Sequence, residues 1–348
     1  MAIQAIKTKE VKRLLIRSTN WVGDAIMTTP AVRAIRKGFP NARISILAKP
    51  WVAPVFENSP HIDHLIIYDG KGIHKGIFGK LRLARDIKKY GFDAAILLQN
   101  AFEAALITFL AGIPIRIGYN TDARKMLLTH AVSCTDEIKR KHQTGYYLNI
   151  LTGIGIKTSH RDLYLELGQK NRFQAGRILM EQHITRHDKL VGINPSATFG
   201  PAKQWPLDRY ADLADRIHAY TNAKIIVFGG PKDRKLGKDI SRMMQHRPID
   251  LAGKTALGEA MALIEKCALF ITNDSGLMHV AAALNVPLIA IFGSTNSTAT
   301  GPLSSNSRVV QVPTNCNPCL KPECPKGHLN CMDQIGVDMV LDIVKEIL

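Results

Sequence analysis

Short, continuously apolar runs of β-favouring residues alternate with amphipathic helical stretches along almost the whole chain. That alternation restricts topology more than any other feature of the sequence. It demands parallel strands joined by right-handed crossovers, with helices on both faces of each sheet. In the first half the strands read Leu14–Arg17, Ile44–Ala48, Leu65–Tyr68, Ala94–Leu98 and Ile115–Gly118, with helices about Ala31–Lys37, Leu81–Tyr90 and Glu103–Ala111. In the second half they read Leu190–Ile193, Lys224–Phe228, Leu269–Thr272 and Leu288–Phe292. The helices there are about Asp208–Tyr220, Lys235–Met244, Gly258–Lys266 and Gly276–Leu284. The beat lapses over the polar, helix-rich stretch Lys139–Lys189, which is where two domains join. The expected division is an N-terminal doubly wound domain over 1–165, a C-terminal one over 166–332 and a closing helix over 333–348. A length of 348 residues supplies two cores. Two such domains facing across a cleft would put the loops after their strands against a ligand.

Several classes drop out. A 46% apolar composition excludes a disordered chain. No apolar run reaches the roughly 20 residues of a membrane span; the longest lies near Ala101–Ala111. Met1–Arg13 is mixed and charged, so no signal peptide is expected. Two isolated cysteines (Cys134, Cys267) and four bunched ones do not make a secreted disulfide scaffold, and a cytoplasmic protein is expected. No G-x-G-x-x-G or Walker lysine motif follows any strand, which speaks against dinucleotide and P-loop chemistry.

Charge is uneven. The chain carries 46 Lys and Arg against 29 Asp and Glu, a net of +17; residues 1–165 hold +13 of it and the remainder +4. An anionic partner for the first half follows, whether nucleic acid, acidic membrane or phosphorylated substrate, beside the plainer reading of a basic soluble surface. Residues 69–89 concentrate it, with Lys71, Lys75, Lys80, Arg82, Arg85, Lys88 and Lys89 against Asp69 and Asp86. Lys139-Arg140-Lys141-His142 is a second basic group.

Four motifs carry candidate chemistry. Asn273-Asp274-Ser275-Gly276-Leu277-Met278-His279 follows an apolar strand and opens a helix. Asp274 or Ser275 would cap that helix, whose free N–H groups suit a phosphate, with His279 one turn further on. An ordinary cap with Ala-rich packing is the plainer reading. Asn194–Pro206 is a Pro- and Gly-broken loop in which Ser196, Thr198 and Lys203 would hold a diphosphate; alternatively Trp205 and Pro206 merely anchor a helix start. In Ser18–Asp24, directly after the first strand, Gly23 permits a tight turn and Asp24 is a candidate general base. Pro30 argues against a helix running from Asp24 and for a start at Thr29, leaving Asp24 in a loop. Cys316-x2-Cys319-x4-Cys324-x6-Cys331 has the spacing of a structural metal knuckle, zinc foremost; a redox or disulfide pair and inert thiols are the alternatives.

Taken in order, the Trp-Val-Gly-Asp loop, the Phe-Gly-Pro-Ala-Lys-x-Trp-Pro loop and the Asn-Asp-Ser-Gly-Leu-Met-His-Val-Ala-Ala-Ala-Leu segment resemble the ADP-heptose:lipopolysaccharide heptosyltransferases, glycosyltransferase family 9. The resemblance runs from about Leu14 to Met332, and its wording is closest to the branch that adds a heptose to the first heptose of the inner core. It implies a GT-B fold with an acceptor-binding N-terminal domain and a nucleotide-sugar-binding C-terminal domain. It implies inverting transfer from ADP-heptose to a heptosylated Kdo–lipid A at the inner face of the inner membrane, with no cofactor required for catalysis. Asp24 matches the family's catalytic aspartate and Lys203 its phosphate-contacting lysine, assisted by Thr198, Ser275 and Gly276. Asp274 and His279 match donor contacts, and by weaker alignment Asp233 would hold the ribose and Thr255 the adenine. Lys80, Arg82 and Arg85 fall on the acceptor and membrane side. The alternatives are a relative acting on Kdo or a later core sugar, another nucleotide-sugar enzyme such as an epimerase, or a non-catalytic nucleotide- or nucleic-acid-binding protein. Nucleic acid is disfavoured because the 69–89 run interleaves only Phe78, with Tyr90 beyond it.

Overall fold

The computed structural model describes residues 6–348; the first five residues of the Met1–Arg13 stretch lie outside it. The chain divides after Glu166 into two compact units.

The first unit holds six parallel strands: β1 (Arg13–Arg17), β2 (Arg43–Ala48), β3 (His64–Ile67), β4 (Ala94–Leu97), β5 (Ile115–Tyr119) and β6 (His130–Val132). Their spatial order is β3-β2-β1-β4-β5-β6. Its helices are α1 (Val22–Met27), α2 (Thr29–Gly38), α3 (Gly76–Lys88), α4 (Phe102–Leu110), α5 (Asp136–Arg140) and α6 (Gln143–Thr152). The second unit repeats the plan with β7 (Leu190–Asn194), β8 (Lys224–Val227), β9 (Ile249–Asp250), β10 (Leu269–Asn273), β11 (Leu288–Phe292) and β12 (Ser307–Gln311). The order is β12-β11-β10-β7-β8-β9, all parallel. Its helices are α7 (Gln169–Glu181), α8 (Leu207–Thr221), α9 (Arg234–Met243), α10 (Leu257–Ile264), α11 (Gly276–Ala283), α12 (Ser297–Thr300), α13 (Asn330–Asp333) and α14 (Val337–Ile347).

Read outward from the centre, both sheets have the same doubly wound order. The chain starts in the middle, walks to one edge, then crosses back and walks to the other. Each sheet therefore has one switch point, β1/β4 in the first and β7/β10 in the second, where the loops diverge and leave room for a ligand. The central strands are continuous apolar runs because both faces are covered: β4, β7, β10 and β11 are buried throughout. The strands that sequence periodicity missed are the edges β6, β9 and β12. They are short or polar, because an edge strand needs less burial.

Two helix starts differ from expectation. Asp24 does not sit in a loop: it occupies the first turn of α1, a six-residue helix. Pro30 is satisfied without forbidding that helix, because Thr28 ends α1 and Pro30 falls in the first turn of α2, where its missing N–H costs nothing. Helix α3 begins at Gly76 and not near Leu81. Its first turn points apolar residues outward, so inward periodicity could not reveal it.

Candidate active site

At the second switch point the structure gathers residues from three loops, those after β7, β10 and β11. The Lys203 ammonium lies 2.5 Å from Asp274 Oδ2, and both side chains are largely buried. The Thr295 hydroxyl donates to the same carboxylate oxygen at 2.7 Å. The Lys203 nitrogen also stands 4.7 Å from the centre of the Phe199 ring. Lys203 is thus a positioned cation, fixed by one carboxylate and one aromatic face, with further N–H groups to spend on a ligand. Ser275 caps α11, its hydroxyl accepting the Met278 N–H. Asn194, at the end of β7, donates to Ser275 Oγ at 2.9 Å and to Thr272 Oγ1 at 3.0 Å. Asn273 ties the floor together: it donates to the Pro195 carbonyl and accepts from the Trp205 N–H and the Tyr210 hydroxyl. Trp205 is fully buried and its indole donates to the Ile335 carbonyl, so the anchoring role exists as well. A helix N-terminus beside a held lysine is a diphosphate-ready arrangement.

Not every expected donor residue joins this cluster. Ser196 is buried in the same loop and Thr198 is exposed on it. Gly276 opens α11 and His279 is buried one turn on. Asp233 lies on the loop after β8, where its carboxylate accepts the Gly230 N–H at 2.7 Å and closes its own turn. Thr255 lies half-buried before α10. Among the described residues neither hydrogen-bonds to the Lys203–Asp274 pair. Asn194, Asn273 and Thr295 were missed by sequence reasoning. The signal was present for Thr295, because Gly293–Asn296 is another polar loop directly after an apolar strand.

The Cys-rich segment braces this site from behind. The Ala202 N–H donates to the Pro322 carbonyl at 3.0 Å, and a Cβ at Gly200 would run into that same carbonyl. All four cysteines are unbridged thiols lining a cavity of about 20 Å³. Burial and the three neighbouring thiols push Cys331 up. The Leu329 N–H, with those of Lys326, His328 and Gly327, draws Cys324 down. Yet no group of three or more His, Cys, Asp or Glu among the described residues is arranged to hold a metal.

At the first switch point Asp24 is half-buried, and the Tyr147 hydroxyl of α6 donates to Asp24 Oδ1 at 3.3 Å. Burial, then the Asp24 charge, pushes the Tyr147 phenol well above its ordinary range. Tyr147 therefore stays a donor and holds the Asp24 side chain in place. Beside it lies a cluster that the motifs did not reveal. Arg17 ends β1 fully buried and is lowered to about 10 by that burial. Lys49, just after β2, is buried with its ammonium 3.1 Å from the centre of the Tyr68 ring. Burial first, then Arg17, lowers Lys49 to about 8. Glu103 accepts from Tyr68 at 2.5 Å and pairs with Lys80 at 2.7 Å, and Asp69 also pulls on the Lys49 charge. Lys80 is thereby spent on Glu103, whereas Arg82 and Arg85 stand exposed on α3. The second basic group is balanced on its own helix, Lys139 pairing with Asp136 and Lys141 with Glu137.

Two doubly wound parallel sheets in one chain are the architecture of the GT-B class of glycosyltransferases. Comparison with known proteins narrows that class. The chain belongs to glycosyltransferase family 9 (heptosyltransferase), whose model matches residues 80–330. It is 30% identical over 345 residues to lipopolysaccharide heptosyltransferase 2 of Escherichia coli K12, covering 97% of this chain and 98% of that one. The solved E. coli ADP-heptose lps heptosyltransferase II superposes with a TM-score of 0.82 at 28% identity, over 96% of this chain and 98% of that one. A family 9 glycosyltransferase from Veillonella parvula superposes at 0.90 with 29% identity, over 99% of both.

Proposed function

We propose that the protein moves L-glycero-D-manno-heptose from ADP-heptose to the first heptose of a Kdo–lipid A inner core, the heptosyltransferase II reaction. The reading carries the enzyme to the cytoplasmic face of the inner membrane as a peripheral protein. The observation that carries it is the Lys203–Asp274–Thr295 group beside the capped start of α11, at the switch point where a nucleoside diphosphate belongs. Likeness to the E. coli enzyme named for ADP-heptose supports the same donor.

In this reading the acceptor hydroxyl gives its proton to Asp24 as its oxygen attacks the anomeric carbon from the face opposite the diphosphate. The sugar–diphosphate bond breaks and ADP leaves with the electron pair, so the configuration inverts. Lys203 and the N–H groups at the start of α11 take up the negative charge that grows on the leaving oxygen. Tyr147 orients the base. Arg17 and Lys49, buried beside a Glu103 already engaged by Tyr68 and Lys80, favour an acceptor that brings its own carboxylate or phosphate groups. No cofactor is assigned to the reaction.

The test is a transfer assay with ADP-heptose and mono-heptosylated Kdo–lipid A. Turnover with inverted configuration is expected. Turnover only with a heptose-free Kdo acceptor would reassign the step, and no turnover with any core acceptor would overturn it.

A further inference from the structure

Helix α3 breaks the rule that a helix on a sheet hides its apolar residues. Its inward stripe is conventional: Gly79, Leu83, Ala84 and Ile87 are buried. Its outward face carries Ile77 at 71% exposure, Phe78 at 82% and Leu81 at 43%, followed along the same face by Arg82, Arg85 and Lys88. Ile73, in the turn leading into the helix, is 60% exposed. Four large apolar side chains held in water within nine residues make a patch and not scattered exposure.

The fold holds them there firmly. The Gly72 N–H donates to Asp69 Oδ1, the His74 N–H to the Asp69 carbonyl and the Asp69 N–H to His74 Nδ1. Gly76 takes φ +68°, and Gly79 sits so close to the His74 backbone that no side chain would fit. A turn with this many internal bonds is built to present Ile73, Ile77 and Phe78, not left loose. The patch is continuous with the catalytic loop: the Lys71 ammonium lies 5.4 Å from the Trp51 ring centre, and the Trp51 indole donates to the Asn20 carbonyl, four residues before Asp24. Trp21, on the same loop, is 62% exposed.

We propose that Ile73, Ile77 and Phe78 insert into the headgroup–acyl boundary of an anionic lipid bilayer while Lys75, Arg82 and Arg85 bind its acidic headgroups. Charge decides the occupant. Among the described residues no carboxylate pairs with Lys75, Arg82 or Arg85, and exposed apolar tips ringed by free cations are the pattern of an interfacial helix. No helix among the described residues is long and apolar enough to cross a membrane, so the contact is one of lying on the surface. The inference rests on the reading of a lipid-borne acceptor and deepens it, since the surface that docks is the one next to the loop that carries Asp24.

Flotation of the full chain with phosphatidylcholine vesicles, with and without phosphatidylglycerol, tests it. The wild type should bind the acidic vesicles, and more weakly as salt rises. The I77S/F78S double variant, altered only at exposed positions, should lose binding by about tenfold or more. Its transfer to a soluble, delipidated heptosylated acceptor should match the wild type, which shows that it folds. Unchanged vesicle binding by the double variant, or no wild-type binding to acidic vesicles, would overturn the proposal. So would a double variant whose only change is a lost self-association without lipid, because the patch would then face another protein chain. Failure of the acceptor reading appears differently, as absent transfer with vesicle binding intact.

Discussion

The two switch points share a strand order and differ in how they treat charge. The second is self-neutralised: Lys203 has Asp274, Asp274 has Thr295, and Asn194 and Asn273 tie the loops to the strand ends. The first buries two cations, Arg17 and Lys49, while Glu103 is shared between Tyr68 and Lys80. A site that is complete without ligand suits a ligand that is the same in every turnover. Lys49 at the first site holds its proton less tightly, chiefly because it is buried and then because Arg17 lies close by.

Three perturbations would break or sharpen this contrast. The largest effect is expected from Asp24→Asn, which removes the proposed base and keeps the shape. Transfer should fall by about 10²–10⁴-fold while ADP affinity stays put. A loss of ADP binding, read by calorimetry, would put Asp24 in the wrong role. Lys203→Ala comes next, with about 10²-fold lost from kcat and weaker ADP binding. It should also destabilise the fold by about 3 kcal/mol, because the Asp274 carboxylate remains buried with Thr295 alone. An unchanged melting temperature would mean that the pair is not part of the resting site.

The smallest effect concerns pH. Lys49 holds its proton less tightly in the folded chain, at about 8 against 10.5 for the free side chain. Folding therefore releases a proton in that window, and stability from this group rises as pH climbs from about 8. An anionic acceptor would restore the proton, so acceptor affinity should fall as pH passes through about 8, by up to about tenfold per unit. Lys49→Met should flatten that profile and leave the ADP profile alone. A wild-type acceptor KM that is flat across this range would place the anion elsewhere.

Legibility followed locality. The central strands and most helices could be read because burial on both faces writes itself as contiguous apolar runs. Asp24 was identified as the acid of the Trp-Val-Gly-Asp loop although its helix was not, since Pro30 looks like a breaker until Thr28 is seen to end one helix and start the next. Helix α3 was read short for the opposite reason: Ile77 and Phe78 are on its water-facing side. Lys80, Arg82 and Arg85 form one run in sequence, but Glu103 takes only Lys80 out of it.

By itself the sequence determined the repeated strand–helix plan, the family, and the three loops that hold the candidate site residues. These are local or pattern properties, set by periodicity and by residues within a few positions of one another. Only the tertiary structure decided which polar groups meet. Lys203 and Asp274 stand 71 residues apart in the chain, and Tyr147 and Asp24 stand 123 apart. It also decided that a lysine with no motif around it, Lys49, has its proton loosened. Desolvation and Coulomb energy depend on what surrounds a charge in space, and no window of sequence contains that.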